Sequence, residues 1–398
     1  MTLCFYLKIK ILSEKYYEKI RNIRHLINMY PEDGFQEFKT SQVIIKELEN
    51  LGIEVKQNIA KTGVVGLLKG SKPGKTVMLR ADMDALKLEE KADVPYKSKI
   101  PGMMHGCGHD GHVAGLLGTA MILSELKEEL YGNVKFIFQP AEERDGGAKP
   151  MIDEGILENP KVDAVFGAHL WVSLKEGKIY IKYGEMMAAP DIFKFKVIGK
   201  GGHGAMPHIS IDPIVITCQV VNSLQTIVSR KNNPLNPVVI TCGKIQGGDS
   251  HNIIPNEVEV EVEGTVRTLN EETRKWIPKA MEEIIKGITT CQGATYKFDF
   301  EPKYPPLIND YKMTDLSKES LKKVVGDNNV CELKDATMGA EDFSYFTKEV
   351  PGVFFFVGIA ADESNPVLHH NPYFKWEDKN LKILSESLAQ ISIDFLNS

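Results

Sequence analysis

The feature that most constrains the fold of this chain is a set of short, continuously apolar stretches that alternate with helical patterns. The apolar stretches lie at 63–69, 76–80, 134–138, 164–168 and 353–358. The helical patterns lie at 13–29, 36–51, 110–130 and 312–325. Strands that are apolar on both faces are typical of a parallel sheet with helices packed on either side. The sequence therefore predicts an α/β domain with a largely parallel sheet, and in such sheets ligands bind beyond the carboxyl ends of the strands.

A second pattern interrupts the first in the middle of the chain. It comprises a strand, a helix, two strands, a helix and a strand, at 192–198, 213–228, 238–245, 257–267, 271–289 and 295–300. The order of these elements is that of a ferredoxin-like α+β unit. Proline residues at positions 190, 302, 305 and 306 flank the segment. We therefore predict a main α/β domain, formed by 1–187 and 303–398, that is interrupted by an inserted α+β domain at 188–302.

Composition excludes several classes of partner. The net charge of -6 argues against nucleic acid or an anionic membrane as the main partner. The apolar runs are far shorter than the ~20 residues of a membrane helix, and the apolar start, 1–12, contains Lys8 and Lys10 but no small-residue cleavage site, so we expect no secretion signal. The six cysteines lie far apart without paired spacing, which predicts a reducing, cytoplasmic location rather than a disulfide framework.

Residue types that bind metal ions follow several of the predicted strands. Within the stretch 105–112, His-Gly-Cys-Gly-His-Asp-Gly-His, Cys107 and His109 stand directly before a long helical pattern. Thiolate and imidazole both bind borderline-soft divalent metals. The residues at or after the strand ends are Asp82, Asp84, Glu142, Glu143, His169, His369 and His370. Each has an ordinary alternative as a solvated loop residue, a helix cap or a surface histidine, but their coincidence at one edge of one sheet favours a metal centre.

The candidate ligands are more numerous than one zinc ion needs. Five ligands are available from Cys107, His109, Glu143, His169 and His370, whereas a tetrahedral site takes four. A bridging thiolate or carboxylate and a water can complete two ions about 3.5–4 Å apart, as in two-metal hydrolases. Glu142 is then free to act as general base beside a bound water, whose pKa the ions lower toward about 7.

The chain resembles the amidohydrolase branch of the dinuclear metallopeptidases related to aminoacylase and carboxypeptidase G. This branch includes hippurate hydrolases, plant auxin-conjugate hydrolases and archaeal or bacterial carboxypeptidases. The stretches that carry the resemblance are 31–32, 34–37, 80–86, 104–112, 139–143, 199–207, 252–255, 264–267, 339–343 and 370–374. They span nearly the whole chain.

The resemblance implies a role for each matching residue of the main domain. It implies Cys107, His109, Glu143, His169 and His370 as metal ligands and Glu142 as the catalytic base. The family's last ligand lies just before the residue that precedes a proline, which points to His370 rather than His369. Asp84 matches a strand-end aspartate that orients a ligand in relatives.

In the inserted domain the resemblance implies residues that act on the substrate. His203, which follows a glycine-rich stretch, matches a histidine that stabilises the oxyanion, in some relatives across a dimer interface. Asn252 and Arg267 match residues that bind a substrate carboxylate, and Glu341 is a further candidate for substrate contact. From the residues alone, His203 equally fits a flexible surface loop and Arg267 a solvated strand face. The flanking prolines suggest that the insert closes as a lid, and relatives are often dimers or tetramers through it.

We therefore expect a metal-dependent amidohydrolase that cleaves N-acyl amino acids, or peptides with a free C-terminal carboxylate, by metal-activated water and a glutamate base. One alternative is a deacetylase of amino-acid biosynthesis that acts on a substrate such as N-acetyl-diaminopimelate. Another is a non-catalytic binding protein on the same fold, which predicts the loss of Glu142 or of a ligand. The expected cofactor is two divalent ions per subunit, and the ligand set accepts zinc, manganese, cobalt or nickel. We expect a homodimer or homotetramer.

Overall fold

The computed structural model describes residues 2–144, 146–255 and 260–398, and these residues form two compact units. The first unit contains the chain up to Gly184 together with Ile308–Asp335 and Asp342–Ser398. The second contains Glu185–Leu307 and Ala336–Glu341. Ala336–Glu341 joins the second unit because Ala188 N donates to Gly339 O and Thr337 N to Met186 O.

The described helices are α1 (Thr2–Met29), α2 (Phe38–Asn50), α3 (His109–Glu125), α4 (Ala148–Asp153), α5 (Pro213–Thr226), α6 (Glu271–Cys291), α7 (Tyr311–Val325), α8 (Ser344–Glu349) and α9 (Asn380–Leu396). The described strands are β1 (Glu54–Ile59), β2 (Gly63–Lys69), β3 (Lys72–Asp82), β4 (Tyr131–Gln139), β5 (Ala164–Lys175), β6 (Ile179–Ile181), β7 (Gly184–Met187), β8 (Ala189–Ile198), β9 (Gly202–His203), β10 (Val238–Gln246), β11 (Ile253–Ile254), β12 (Val260–Thr268), β13 (Thr295–Glu301), β14 (Leu307–Asn309), β15 (Val330–Glu332) and β16 (Gly352–Ala360).

The first unit is built on a mixed sheet whose centre is parallel. The strand order is β1-β2-β4-β3-β5-β16-β6-β15. The four central strands, β4, β3, β5 and β16, run parallel to one another. Strand β2 pairs antiparallel with β4 on one side, and β6 pairs antiparallel with β16 on the other. Every residue of β16 is buried, as expected for a strand that helices cover on both faces. The predicted α/β fold with a largely parallel sheet is confirmed.

Helix α3 is the central helix of the first unit. Its residues are buried from His109 to Leu123, because α1, α9 and the sheet pack around it. Glycines allow close approach to α3: an added Cβ at Gly115 would lie 2.4 Å from Leu384 Cδ2 of α9, and one at Gly111 2.3 Å from Cζ2 of Trp376, which precedes α9. The C-terminal helix α9 therefore packs directly behind the helix that begins at His109.

The second unit is an antiparallel sheet covered by two helices. Its strand order, β10-β12-β8-β13, is that of a ferredoxin-like unit, and the core between sheet and helices includes Phe193, Phe195, Ile277 and Met281. The predicted α+β insert is confirmed. Of the predicted strand 257–267, residues 257–259 lie outside the described residues, and β12 begins at Val260.

Two N-caps position the helices of this unit. Asp212 accepts hydrogen bonds from the backbone amides at the start of α5, which has Pro213 at its first position, and Asn270 caps α6 in the same way.

Across the described ranges of both units, no helix combines the length and the apolar character needed to cross a bilayer.

Candidate metal centre

The candidate ligands come together because three neighbouring parallel strands bring residues to the same level at one edge of the sheet. Strand β3 ends at Asp82 and β4 at Gln139, and these two residues are register partners. In β5, Gly167 pairs with Arg80 of β3, so His169 lies level with Asp82. Strand β5 continues to Lys175, beyond the predicted end at residue 168. The edge therefore carries acidic and imidazole side chains from neighbouring strands.

One group of ligand atoms joins this edge to the start of α3. The ligand atoms of Cys107, His109 and His169 all lie within 4.8 Å of one another, and Cys107 Sγ is 3.4 Å from His169 Nε2. Gly108 caps α3 with a φ of 90°, a left-handed conformation that glycine adopts without steric cost. This turn brings Cys107 and His109 to the same side of the helix terminus.

A second group shares the thiol with the first. The ligand atoms of Cys107, Glu143 and His370 lie within 4.8 Å of one another, as do those of His109, Glu142 and Glu143. His370 Nε2 is 2.8 Å from Glu143 Oε1. The structure thus brings all five predicted ligands and Glu142 into one pocket of the first unit.

Asp84 holds two of these residues. His109 Nδ1 donates to the carbonyl oxygen of Asp84 at 3.0 Å and lies 3.2 Å from its Oδ1. Oδ2 of Asp84 accepts from the backbone amide of Glu143 at 2.9 Å. His109 Nε2 is buried and has no hydrogen-bond partner among the described residues. A buried ring nitrogen without a hydrogen-bond partner, beside a thiol and two carboxylates, fits a bound metal ion that displaces its proton.

The electrostatics of the pocket also fit a cation. Burial, together with the carboxylates of Glu143 and Glu142, raises the pKa of the Cys107 thiol well above its usual value. Burial opposes the charged form of His109, but the Asp82 and Asp84 carboxylates outweigh it and raise the pKa of His109 to about 10. The pocket therefore holds an excess of negative charge, which a divalent cation can neutralise as it displaces protons from its ligands.

A fully buried charge network supports the strand ends. Arg80 Nη1 donates to Asp82 Oδ2 at 2.7 Å, Arg80 Nη2 to Asp342 Oδ1 at 2.9 Å, and Arg80 Nε to Gln139 Oε1 at 2.9 Å. Asp342 also accepts from the backbone amide of Ala148 at 3.0 Å. One guanidinium thus ties together the ends of β3 and β4 and the segment that begins at Asp342.

Sequence reasoning gave no role to the Arg80 network or to the histidines at positions 105 and 112. His112 lies between Asp82 and the Leu170 backbone, whereas both ring nitrogens of His105 lack a hydrogen-bond partner among the described residues. A charged pair, Arg80 and Asp82, on an otherwise apolar strand was the signal available, because buried charges require partners.

The predicted substrate residues of the insert lie in the second unit. His203 is exposed, its Nδ1 accepts from Ala205 N at 3.0 Å, and its neighbour Gly204 donates to Asn252 O at 2.8 Å. The structure therefore brings His203 and Asn252 together through the pairing of β9 with β11. Arg267 is half-buried on β12 in the four-stranded sheet, and burial lowers its pKa. Glu341 is buried at the end of the segment 336–341.

Comparison with known proteins decides the family. Residues 78–393 match the model of peptidase family M20/M25/M40. The chain belongs to this family. It is 41% identical over 383 residues, 95% of both chains, to thermostable carboxypeptidase 1 of Saccharolobus solfataricus. It is 50% identical over 287 residues to an N-acyl-L-amino acid amidohydrolase of Geobacillus stearothermophilus, which covers 72% of this chain and 76% of that one.

A solved structure of the family has the same fold. The crystal structure of a dinuclear metal-binding peptidase of family M20 from Bacillus subtilis superposes with a TM-score of 0.84 at 33% identity, covering 96% of this chain and 99% of the other. The predicted resemblance and the prediction of an enzyme are confirmed: this M20 chain is a hydrolase, a metal-dependent amidohydrolase of the aminoacylase and carboxypeptidase type.

Proposed function

We propose that this M20 hydrolase cleaves the amide bond of N-acyl amino acids, or of peptides with a free C-terminal carboxylate. We propose further that Cys107, His109, Glu143, His169 and His370 hold two divalent metal ions. The observation that carries the proposal is His109 Nε2, a buried ring nitrogen that has no hydrogen-bond partner among the described residues and lies beside Cys107 and His169. When bound, the ions supply Lewis acidity, which polarises an amide carbonyl and acidifies water.

Glu142 is the proposed general base. The residue is only 7% exposed, and its carboxylate lies within 4.8 Å of ligand atoms of His109 and Glu143. In the proposed reaction, Glu142 takes a proton from the water that adds to the amide carbonyl. It then returns this proton to the leaving nitrogen as the carbon–nitrogen bond breaks, so the products are a carboxylate and an amine.

The insert is proposed to bind the substrate. His203 is proposed to donate to the oxyanion, and Asn252 and Arg267 to bind the substrate carboxylate, for which a guanidinium is well shaped. Glu341 is a further proposed substrate contact. The exposure of His203 and its backbone link to Asn252 are compatible with these roles. We also propose that the insert acts as a lid.

A homodimer or homotetramer through the insert is a further proposal. Its support is a set of exposed apolar side chains in the second unit, including Val215 at 53% and Ile253 at 58% exposure. A reducing, cytoplasmic location is proposed because the described cysteines, Cys107 among them, are free thiols.

Turnover of a substrate panel tests the proposed function. Protein stripped of metal and reloaded with zinc, manganese, cobalt or nickel should hydrolyse N-acetyl or N-benzoyl amino acids or dipeptides. Turnover of N-acetyl-diaminopimelate alone would favour the deacetylase alternative, and no turnover with any ion would refute the proposal.

Glu142→Gln should lose nearly all turnover yet bind the same number of ions, because it removes the base and keeps the proposed ligands. Loss of bound metal in this variant would contradict the assignment of Glu142 as base.

A further inference from the structure

Three histidine rings contact the backbone of one residue, Leu170, at the candidate metal centre. The amide of Leu170 donates to His112 Nε2 at 3.0 Å. The carbonyl oxygen of Leu170 accepts from His169 Nδ1 at 2.8 Å and from His369 Nε2 at 2.9 Å. The rings of His112 and His369 lie 4.5 and 5.2 Å, between centroids, from that of His169. Neither His112 nor His369 is a proposed ligand, yet both contact the backbone of the residue whose carbonyl oxygen His169 contacts.

The hydrogen-bond partners of each ring define which of its nitrogens carries a hydrogen. A backbone amide can only donate, so His112 Nε2 carries a lone pair. A carbonyl oxygen can only accept, so His169 Nδ1 and His369 Nε2 carry hydrogens. In neutral His169 the lone pair is then on Nε2, the atom that lies 3.4 Å from Cys107 Sγ. The carbonyl oxygen of Leu170 thus determines which nitrogen of His169 is available to a metal ion.

His112 is itself held in place from the other side. Its Nδ1 donates to Asp82 Oδ1 at 2.5 Å, and the second oxygen of Asp82 accepts from Arg80 at 2.7 Å. Asp82 and His112 are fully or almost fully buried. An unbroken series of hydrogen bonds therefore runs from the guanidinium in β3, through His112 on α3, to the peptide of β5 next to His169.

We propose that His112 and His369 are positioning residues, which hold the backbone of Leu170 from its amide and its carbonyl so that His169 presents Nε2 beside Cys107. This inference rests on the proposed ligand role of His169. His169 shares one group of ligand atoms with Cys107 and His109, and His370 shares another with Cys107 and Glu143. Loss of either positioning residue therefore weakens the binding of one of two ions, and changes to such outer partners typically cost about 10–100-fold in metal affinity.

Two substitutions of His112 separate its two contacts. His112→Asn keeps a donor near the position of Nδ1, for Asp82, but leaves the Leu170 amide without an acceptor. His112→Gln reaches the position of Nε2 with an amide oxygen and keeps that acceptor. His369→Phe removes the donor to the Leu170 carbonyl and keeps a ring that can pack on Phe374, which lies 5.5 Å from His369 between centroids. His25→Asn is the control, because the ring of His25 hydrogen-bonds Asp378 rather than the Leu170 backbone.

The experiment measures zinc binding to the full chain by competition with a chelator. Wild type and His25→Asn should bind two ions tightly. His112→Asn and His369→Phe should lose about 10–100-fold in affinity for one ion, and His112→Gln should lose much less. The thermal midpoint of the metal-stripped protein serves as the fold control. If His112→Asn does not fold, His369→Phe still tests the proposal through the Leu170 carbonyl.

The outcomes separate this inference from the proposed function. If wild type binds no zinc, the proposed metal centre is wrong. If wild type binds two ions and both His112→Asn and His369→Phe do so with unchanged affinity, the positioning role is wrong and the metal centre stands. Equal losses in His112→Asn and His112→Gln would also overturn the role of the Leu170 contact, because the two variants differ in that acceptor.

Discussion

Glu37 should make the stability of the protein depend on pH in an unusual direction. Its side chain is fully buried, where Thr62 Oγ1 donates to Oε2 at 2.5 Å and the amide of Ala141 to Oε1 at 2.9 Å. Burial outweighs these hydrogen bonds and raises the pKa of Glu37 from 4.5 to about 7. Between these values the folded state binds more protons than the unfolded state, so stability falls as pH rises.

The size of this effect follows from the pKa shift. One pKa unit corresponds to about 1.4 kcal/mol, so the shift to about 7 corresponds to a cost of about 3 kcal/mol. The cost is absent below the unfolded pKa, grows through the window between the two values, and is complete above the folded pKa. Glu37→Gln removes the charge and keeps an oxygen for the Ala141 amide. The variant should match wild type at about pH 4.5 and be more stable than wild type, by up to about 3 kcal/mol, at about pH 8.

Urea unfolding of the metal-stripped protein, at a pH below the window and at one above it, measures the difference between the two proteins. Other titrating groups are common to both and cancel in the comparison. Glu49→Gln, which removes an exposed carboxylate of α2, the helix that directly follows Glu37, should change the free energy of unfolding little at either pH. A Glu37→Gln variant that is less stable than wild type above the window would refute the reasoning.

Three further predictions concern the buried charges, the packing of α3 and metal loading. Arg80→Met leaves two fully buried carboxylates without their guanidinium and should lower the free energy of unfolding by about 3–5 kcal/mol, as measured by urea unfolding. Gly115→Ala should destabilise the folded protein by about 1–3 kcal/mol, because the clash with α9 outweighs the gain in helix propensity. In Gly287→Ala the added methyl group meets no atom within 4 Å, so this variant should be more stable than wild type by up to about 1 kcal/mol. Equal thermal midpoints in these two variants would contradict this account. Zinc loading near neutral pH should release protons from Cys107 and His109, whose pKa values are raised, and titration calorimetry in buffers of different ionisation enthalpy detects them; loading without proton release would contradict the charge balance of the pocket.

The central strands were predictable because they are apolar on both faces, and residues at their carboxyl ends had to meet at one edge. Helix α9 was not predicted. Its buried residues include Ser385, Gln390 and Ser392, so its pattern lacks a continuous apolar stripe, and the helix is identified only once α3 is seen to pack against it. Helix α1 begins at Thr2, well before the predicted start at residue 13.

The candidate site was predictable as a set of residues but not as an arrangement. The five ligand positions converge in the structure, while their roles stay predictions. The contribution of His112 depends on how α3 packs against β5, which places the Leu170 amide 3.0 Å from its ring. No spacing along the chain encodes that distance, because one residue lies on a helix and the other on a strand, and tertiary packing positions them.

The positions of the proposed ligands in the chain have a consequence for biosynthesis. The ligand groups join Cys107 to His370, and α9, which packs behind α3, begins only at Asn380. A nascent chain cannot complete the proposed pocket until residue 370 has left the ribosome. Most of the second unit, Glu185–Leu307, is synthesised in one run before that point, and domains generally fold as units during synthesis. Acquisition of metal by the proposed ligands therefore follows the synthesis of residue 370.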